Sequence, residues 1–126
     1  FTGHVDSWYY GAIDNGTANA AQMEVARLVS AHQKELKRNF RIVHYSGHSH
    51  GRYAGSAWYA DNFWEELHKS CVVNVNADSL GGKDAMDVQH STIMPETMGL
   101  AVEVVRHQTG EQFEGLRAAR NGDQSF

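Results

Sequence analysis

The stretch Gly3-His4-Val5-Asp6-Ser7-Trp8-Tyr9-Tyr10-Gly11-Ala12-Ile13-Asp14-Asn15 decides how the rest of the chain is read. It sets a histidine, a carboxylate two residues later and a second carboxylate ten residues later into a Gly-containing segment with the character of a strand end. Imidazole and carboxylate suit Zn²⁺. At that spacing Asp6 can serve as the outer partner that fixes the tautomer of a ligating His4. The same composition also fits a plain turn rich in Asn, Asp and Gly. On spacing alone both readings stand.

Outward from this stretch, the pattern alternates between strand and helix. Thr17 to Glu35 places Ala18, Ala21, Val25, Leu28 and Val29 three or four apart and predicts a helix. Asn39 to Ser46 predicts a strand through Phe40, Ile42, Val43 and Tyr45. A polar loop follows, Gly47-His48-Ser49-His50-Gly51-Arg52, and then Ser56 to Lys69 returns to helical spacing. Cys71 to Ala77 is short and β-branched and predicts a third strand, with Asp78 just beyond it. Residues 79 to 93 read as a loop with a short strand near Met86 to Gln89. Pro95 suits the first turn of a last helix that stops near Gly110.

Strand and helix in alternation predict an α/β fold with a mostly parallel sheet and helices on both faces, in three layers. In such sheets ligands collect outside the carboxyl ends of the strands. His4 to Asp14, His48 to His50, and Asp78 each follow a predicted strand, so they are expected to meet on one edge.

The totals remove several classes. A chain of 126 residues accommodates one domain or part of one, and 41% hydrophobic with 21% charged is ordinary for a globular protein. A net charge of −4 without a block of like charges gives no electrostatic case for nucleic acid. No apolar run approaches the roughly 20 residues of a membrane span. The single cysteine, Cys71, excludes an internal disulfide and, in its apolar run, is expected to be buried. Phe1-Thr2-Gly3 reads as a strand already under way and Gly122 to Phe126 stops abruptly, so one partial domain, truncated at both ends, is expected. Nothing in the sequence points to a compartment.

Several separated motifs, in order, resemble the co-catalytic zinc exopeptidases that include bacterial leucyl aminopeptidases, glutamate carboxypeptidase II and the non-enzymatic transferrin receptor. They are His4-Val-Asp6-Ser-Trp with Asp14-Asn15, Met23-Glu24-Val25-Ala26-Arg27, Gly55-Ser56-Ala-Trp-Tyr59 and Asn76-Ala77-Asp78-Ser79. The resemblance covers residues 1 to 80 well and the remainder loosely. It implies a zinc-dependent peptidase-like hydrolase, of aminopeptidase or carboxypeptidase type, acting on a peptide or amino-acyl substrate. His4, Asp14 and Asp78 fall on the ligands of one metal, with Asp14 the carboxylate that bridges to a second. Asp6 falls on the acidic residue that orients the first histidine. The peptide after Asp14 is commonly cis in that family.

One departure stands out. Where the family carries two consecutive glutamates, a general base and a ligand of the second metal, this chain has His48-Ser49. A neutral serine hydroxyl is a poor replacement for a carboxylate ligand. Imidazole suits general-base work, so His48 is the candidate base, and His50 is a possible further ligand. One Zn²⁺ is therefore expected, with the second site in doubt. The alternative is a catalytically lapsed domain of the same fold, kept for metal binding or interaction.

Overall fold

The computed structural model describes residues 1–81, together with 91–92, 99–100, 103–104, 106–108, 110 and 117–118. It divides into two units, Phe1–Gly81 and Gly82–Arg120.

In the first unit a short parallel sheet is built on β1 (Thr2–His4) and β2 (Val43–Tyr45), in the register Thr2↔Val43, Gly3↔His44, His4↔Tyr45. A parallel pair needs a long crossover. Here it is supplied by an irregular turn over Ala12–Thr17, then α1 (Ala18–Ala31). After β2 the chain forms α2 (Ala54–Asn62) and α3 (Trp64–Ser70), and returns to the other edge of β1. There Thr2 bridges Asn76 in parallel, its amide donating to the Val75 oxygen (2.9 Å) and its carbonyl accepting from Ala77 (2.9 Å). β1 is therefore the middle of three extended segments running one way, and all three deliver their carboxyl ends to the same edge.

The expected elements are present but shorter. α1 stops at Ala31, and a single tight turn over Gln33–Glu35 follows. β2 keeps only the three residues that face β1. The predicted helix from Ser56 to Lys69 divides at Phe63 (φ −113°, ψ 17°). At the division, Asn62, the last residue of α2, donates its side-chain amide to the Trp58 carbonyl (2.8 Å). Of the predicted strand Cys71 to Ala77 only the end joins the sheet. Cys71, expected to be buried, is exposed, because residues 71–73 run outside the pairing, with Val72 and Val73 exposed beside it.

The interior of this unit is small and polar. Among the described residues Ala18, Tyr45 and Ala77 are its buried apolar members, beside Thr2, His4, Asn15, Gln22, Ser49 and Ser56. Gln22 was invisible to the helical pattern, yet it is fully buried while Leu28 is exposed. Neither atom of its amide has a hydrogen-bond partner among the described residues. Gly3 admits it: a Cβ there would lie 2.7 Å from the Gln22 nitrogen and 2.9 Å from the Ala77 carbonyl oxygen. Gly55 meets a harder limit, since a Cβ would strike the Ser46 carbonyl oxygen, which is main chain and cannot turn away.

In the second unit, β3 (Ser91–Thr92) pairs in parallel with β4 (Arg117–Ala118). Residues 99–100, 103–104 and 106–108 are helical. Gly110, at φ 76°, donates its amide to the Arg106 oxygen (2.9 Å), the left-handed ending that glycine tolerates, at the stop expected from the sequence. The expected strand near Met86 to Gln89 and the start of the helix at Pro95 lie outside the described residues. No described helix is long and apolar enough to cross a membrane.

Two substitutions test this packing. Gly55→Ala is expected to destabilise the protein by about 1–3 kcal/mol through overpacking. Gln22→Met, which removes unpaired polar atoms at similar volume, is expected to be neutral or stabilising by up to about 1–3 kcal/mol. Urea melts of both variants measure this, and a Gly55→Ala midpoint equal to wild type would contradict the close approach.

Candidate metal centre

His4 closes β1 and is completely buried. Its Nδ1 lies 2.8 Å from the main-chain oxygen of Asp6. A carbonyl only accepts, so Nδ1 carries the hydrogen, and in the neutral ring Nε2 presents a lone pair. That lone pair faces Asp14 Oδ1 at 2.9 Å and Asp78 Oδ1 at 3.3 Å. Three acceptors directed at one another repel unless a positive charge sits among them. A proton on Nε2 provides it, and so does a metal ion. Nitrogen and carboxylate oxygen at these separations are the donor set that suits Zn²⁺, whose ligands sit about 2.0–2.2 Å from the ion. The residues present fit the metal.

Asn15 brings the two carboxylates to the ring. It is buried in the turn before α1, and its amide nitrogen lies 3.2 Å from both the His4 and the Ala77 carbonyl oxygens. Its side-chain oxygen accepts the Ser79 amide at 2.9 Å. One side chain thus ties the end of β1 to the segment carrying Asp78, from the residue next to Asp14. The Asp14–Asn15 peptide is cis. The side chains of Asp14 and Asp78 are partly open to solvent, 50% and 37%, so the site has an accessible face.

His48 enters from the loop after β2. Its ring lies flat on that of His4, centroids 3.7 Å apart and planes within 5°, and its Nε2 is 3.9 Å from Asp78 Oδ2. One potential ligand atom from each of His4, His48 and Asp78 falls within 4.8 Å of the others. Proximity is not convergence, however. An imidazole lone pair lies in the ring plane, so two parallel stacked rings direct theirs side by side rather than at a common point. In this geometry the His48 and His4 lone pairs do not converge on one point.

Asp6 deals with His48 and His4 differently. Its carboxylate is 3.8 Å from the His4 ring nitrogen, and orientation of that ring comes from the Asp6 main-chain oxygen instead. The carboxylate oxygens accept the amides of His48 (3.1 Å) and Ser49 (2.8 Å). Burial alone would raise the Asp6 carboxyl. The donors from Ser49 and His48, its own amide and the nearby His4 outweigh burial and hold it below the usual carboxylate range.

The other polar candidates lie elsewhere. His50 is exposed, its Nε2 3.1 Å from the Ser7 main-chain oxygen and its ring tilted against Trp8. Arg52 is exposed and rests over the Tyr53 ring at 5.2 Å. Glu24 forms an exposed two-point pair with Arg27, at 2.7 and 2.8 Å. Ser49 is buried, and its hydroxyl has no partner among the described residues. Sequence reasoning missed Asn15 as the tie; its one signal was the position directly after Asp14.

The sequence profile of peptidase family M28 matches residues 1–123, and the chain belongs to that family. Among curated proteins, it is 28% identical over 107 residues to a glutamate carboxypeptidase 2 homolog of Caenorhabditis briggsae, covering 82% of this chain and 14% of the relative. It is 30% identical over 78 residues to the probable glutamate carboxypeptidase VP8 of Zea mays, covering 60% of this chain and 11% of the relative. The chain therefore spans a small part of either. No solved structure matches it.

Asn15→Leu is expected to leave the His4 and Ala77 carbonyls and the Ser79 amide unpaired, at a cost of about 2–4 kcal/mol. Thermal unfolding against wild type reads this out. A loss below about 0.5 kcal/mol, the usual range for surface changes, would contradict the tie.

Proposed function

We propose that this chain carries the metal-binding part of a zinc-dependent peptidase-like hydrolase, acting on an amide bond of a peptide or amino-acyl substrate. The observation that carries the proposal is the convergence of His4 Nε2, Asp14 Oδ1 and Asp78 Oδ1, with no lysine or arginine paired to them among the described residues. Membership of peptidase family M28 and the names of the two relatives support the hydrolytic reading. The same reading takes the sheet as part of a three-layer domain with helices on both faces, residues 1–126 contributing a portion of it.

In this scheme His4, Asp14 and Asp78 hold one Zn²⁺. When bound, the ion supplies Lewis acidity for a carbonyl and lowers the pKa of a coordinated water to about 7. His4 keeps its Nδ1 hydrogen on the Asp6 oxygen, so its Nε2 stays available to the ion. His48 is the proton-handling group: an imidazole suits proton transfer near neutral pH, and this one is fixed between His4 and the edge of Tyr53. The second position of a two-metal site has no support from His48-Ser49.

A second reading is favoured by that same departure. Replacement of the glutamate pair fits a lapsed member that binds metal without turnover. Measurement separates the two. Purified protein is expected to hold about one zinc equivalent, lost in Asp14→Ala; full occupancy in that variant would sink the ligand assignment. Hydrolysis of amino-acid anilides and C-terminal dipeptides is expected to fall about 10²–10⁴-fold in His48→Ala, the usual contribution of a general base. An unchanged kcat would end that role, and zinc bound with no turnover in wild type would establish the lapsed reading.

A further inference from the structure

The loop that carries His48 is poorly suited to holding itself. Gly47, Arg52 and Tyr53 all have positive φ, at 76°, 49° and 72°, so the chain reverses sharply around it without regular pairing. The carbonyls of Gly47 and His48 accept from Ala54 and Tyr53, at 3.2 and 3.4 Å. The amides of His48 and Ser49 point the other way, and Ser49 is buried, so their donors need an acceptor from elsewhere. Both find it on Asp6, one on each carboxylate oxygen. Bonds to an ionised acceptor are the stronger kind.

We propose that Asp6 is a positioning residue for His48: its carboxylate clamps the His48–Ser49 backbone and so lays the His48 ring flat on His4. The His4 ring does not depend on that carboxylate. It is held by the Asp6 main-chain oxygen, which every residue at position 6 except through backbone change would still offer. One residue thus sets both imidazoles, each through a different group. The significance of the clamp for turnover rests on the reading of His48 as the proton-handling group; the clamp itself does not.

Asp6→Asn separates the two roles an acid at this position can have. The amide keeps one acceptor oxygen and turns its NH₂ toward the other backbone N–H, so one bond is replaced by a donor facing a donor. In the intact protein, labelled on histidine, the ring resonances of His48 are expected to shift or broaden in this variant while zinc affinity changes less than about threefold. Support for a metal-ligating histidine is different, and its loss typically costs about 10–100-fold in affinity. His48 resonances that stay in place, or a zinc affinity reduced tenfold or more, would overturn the proposal. Should Asp6→Asn fail to fold, the unmutated protein still decides. A scalar coupling across the hydrogen bond, from the Ser49 amide nitrogen to the Asp6 carboxyl carbon, is expected, and its absence would overturn the clamp. Because these readouts need no turnover, a chain that proves catalytically inert leaves them intact.

Discussion

Three acceptors meet at the end of β1, and the rest of the first unit is arranged to keep them there. His4 spends its one ring hydrogen on the Asp6 main-chain oxygen, which leaves Nε2 facing two carboxylates. Such a group does not assemble without a positive charge at its centre, and among the described residues no lysine or arginine pairs with it. The charge must be a proton or a metal ion. Everything that fixes His4, Asp14 and Asp78 therefore works against electrostatic repulsion until that charge arrives.

The fixing is done largely by polar side chains. Asn15 ties β1 to the Asp78 segment, Asp6 ties β1 to the His48 loop, and the Thr2 backbone pairs with Val75 and Ala77 of the returning segment. Buried polar groups hold a geometry well when each is satisfied, because any displacement leaves a donor or acceptor unpaired in a poor dielectric. Gln22 and the Ser49 hydroxyl are exceptions among the described residues, and Gln22 is a place where stability is open to improvement. The apolar contribution is thin, with Tyr45, Ala18 and Ala77 packed around the strand ends.

Much of this was legible in the sequence. The order of strand and helix was readable because apolar spacing changes period between segments, and convergence of three loops follows from parallel strands sharing one carboxyl edge. Element lengths were not readable: β2 extends only as far as β1 pairs with it, and α2 ends at Phe63, whose backbone leaves the helical region. Burial of Gln22 and exposure of Cys71 were equally hidden, since an apolar pattern says which face is greasy and not what lies opposite. At the site, position after predicted strands groups His4, Asp14, Asp78 and His48 on one edge, and their individual roles come from the resemblance to the zinc exopeptidases. The parallel stacking of the two imidazoles, and the choice of carbonyl over carboxylate at Asp6, depend on dihedral angles that residue identity does not encode.

The stacking makes the account measurable in one experiment. X-ray absorption at the zinc edge on the metal-loaded protein reports how many imidazoles surround the ion and whether any sulfur does. One imidazole per zinc with the remaining ligands oxygen is the predicted result, because the proposal makes His4 the ligand and leaves His48 alongside. Two imidazoles per zinc, a sulfur ligand, or a protein that retains no zinc would contradict it.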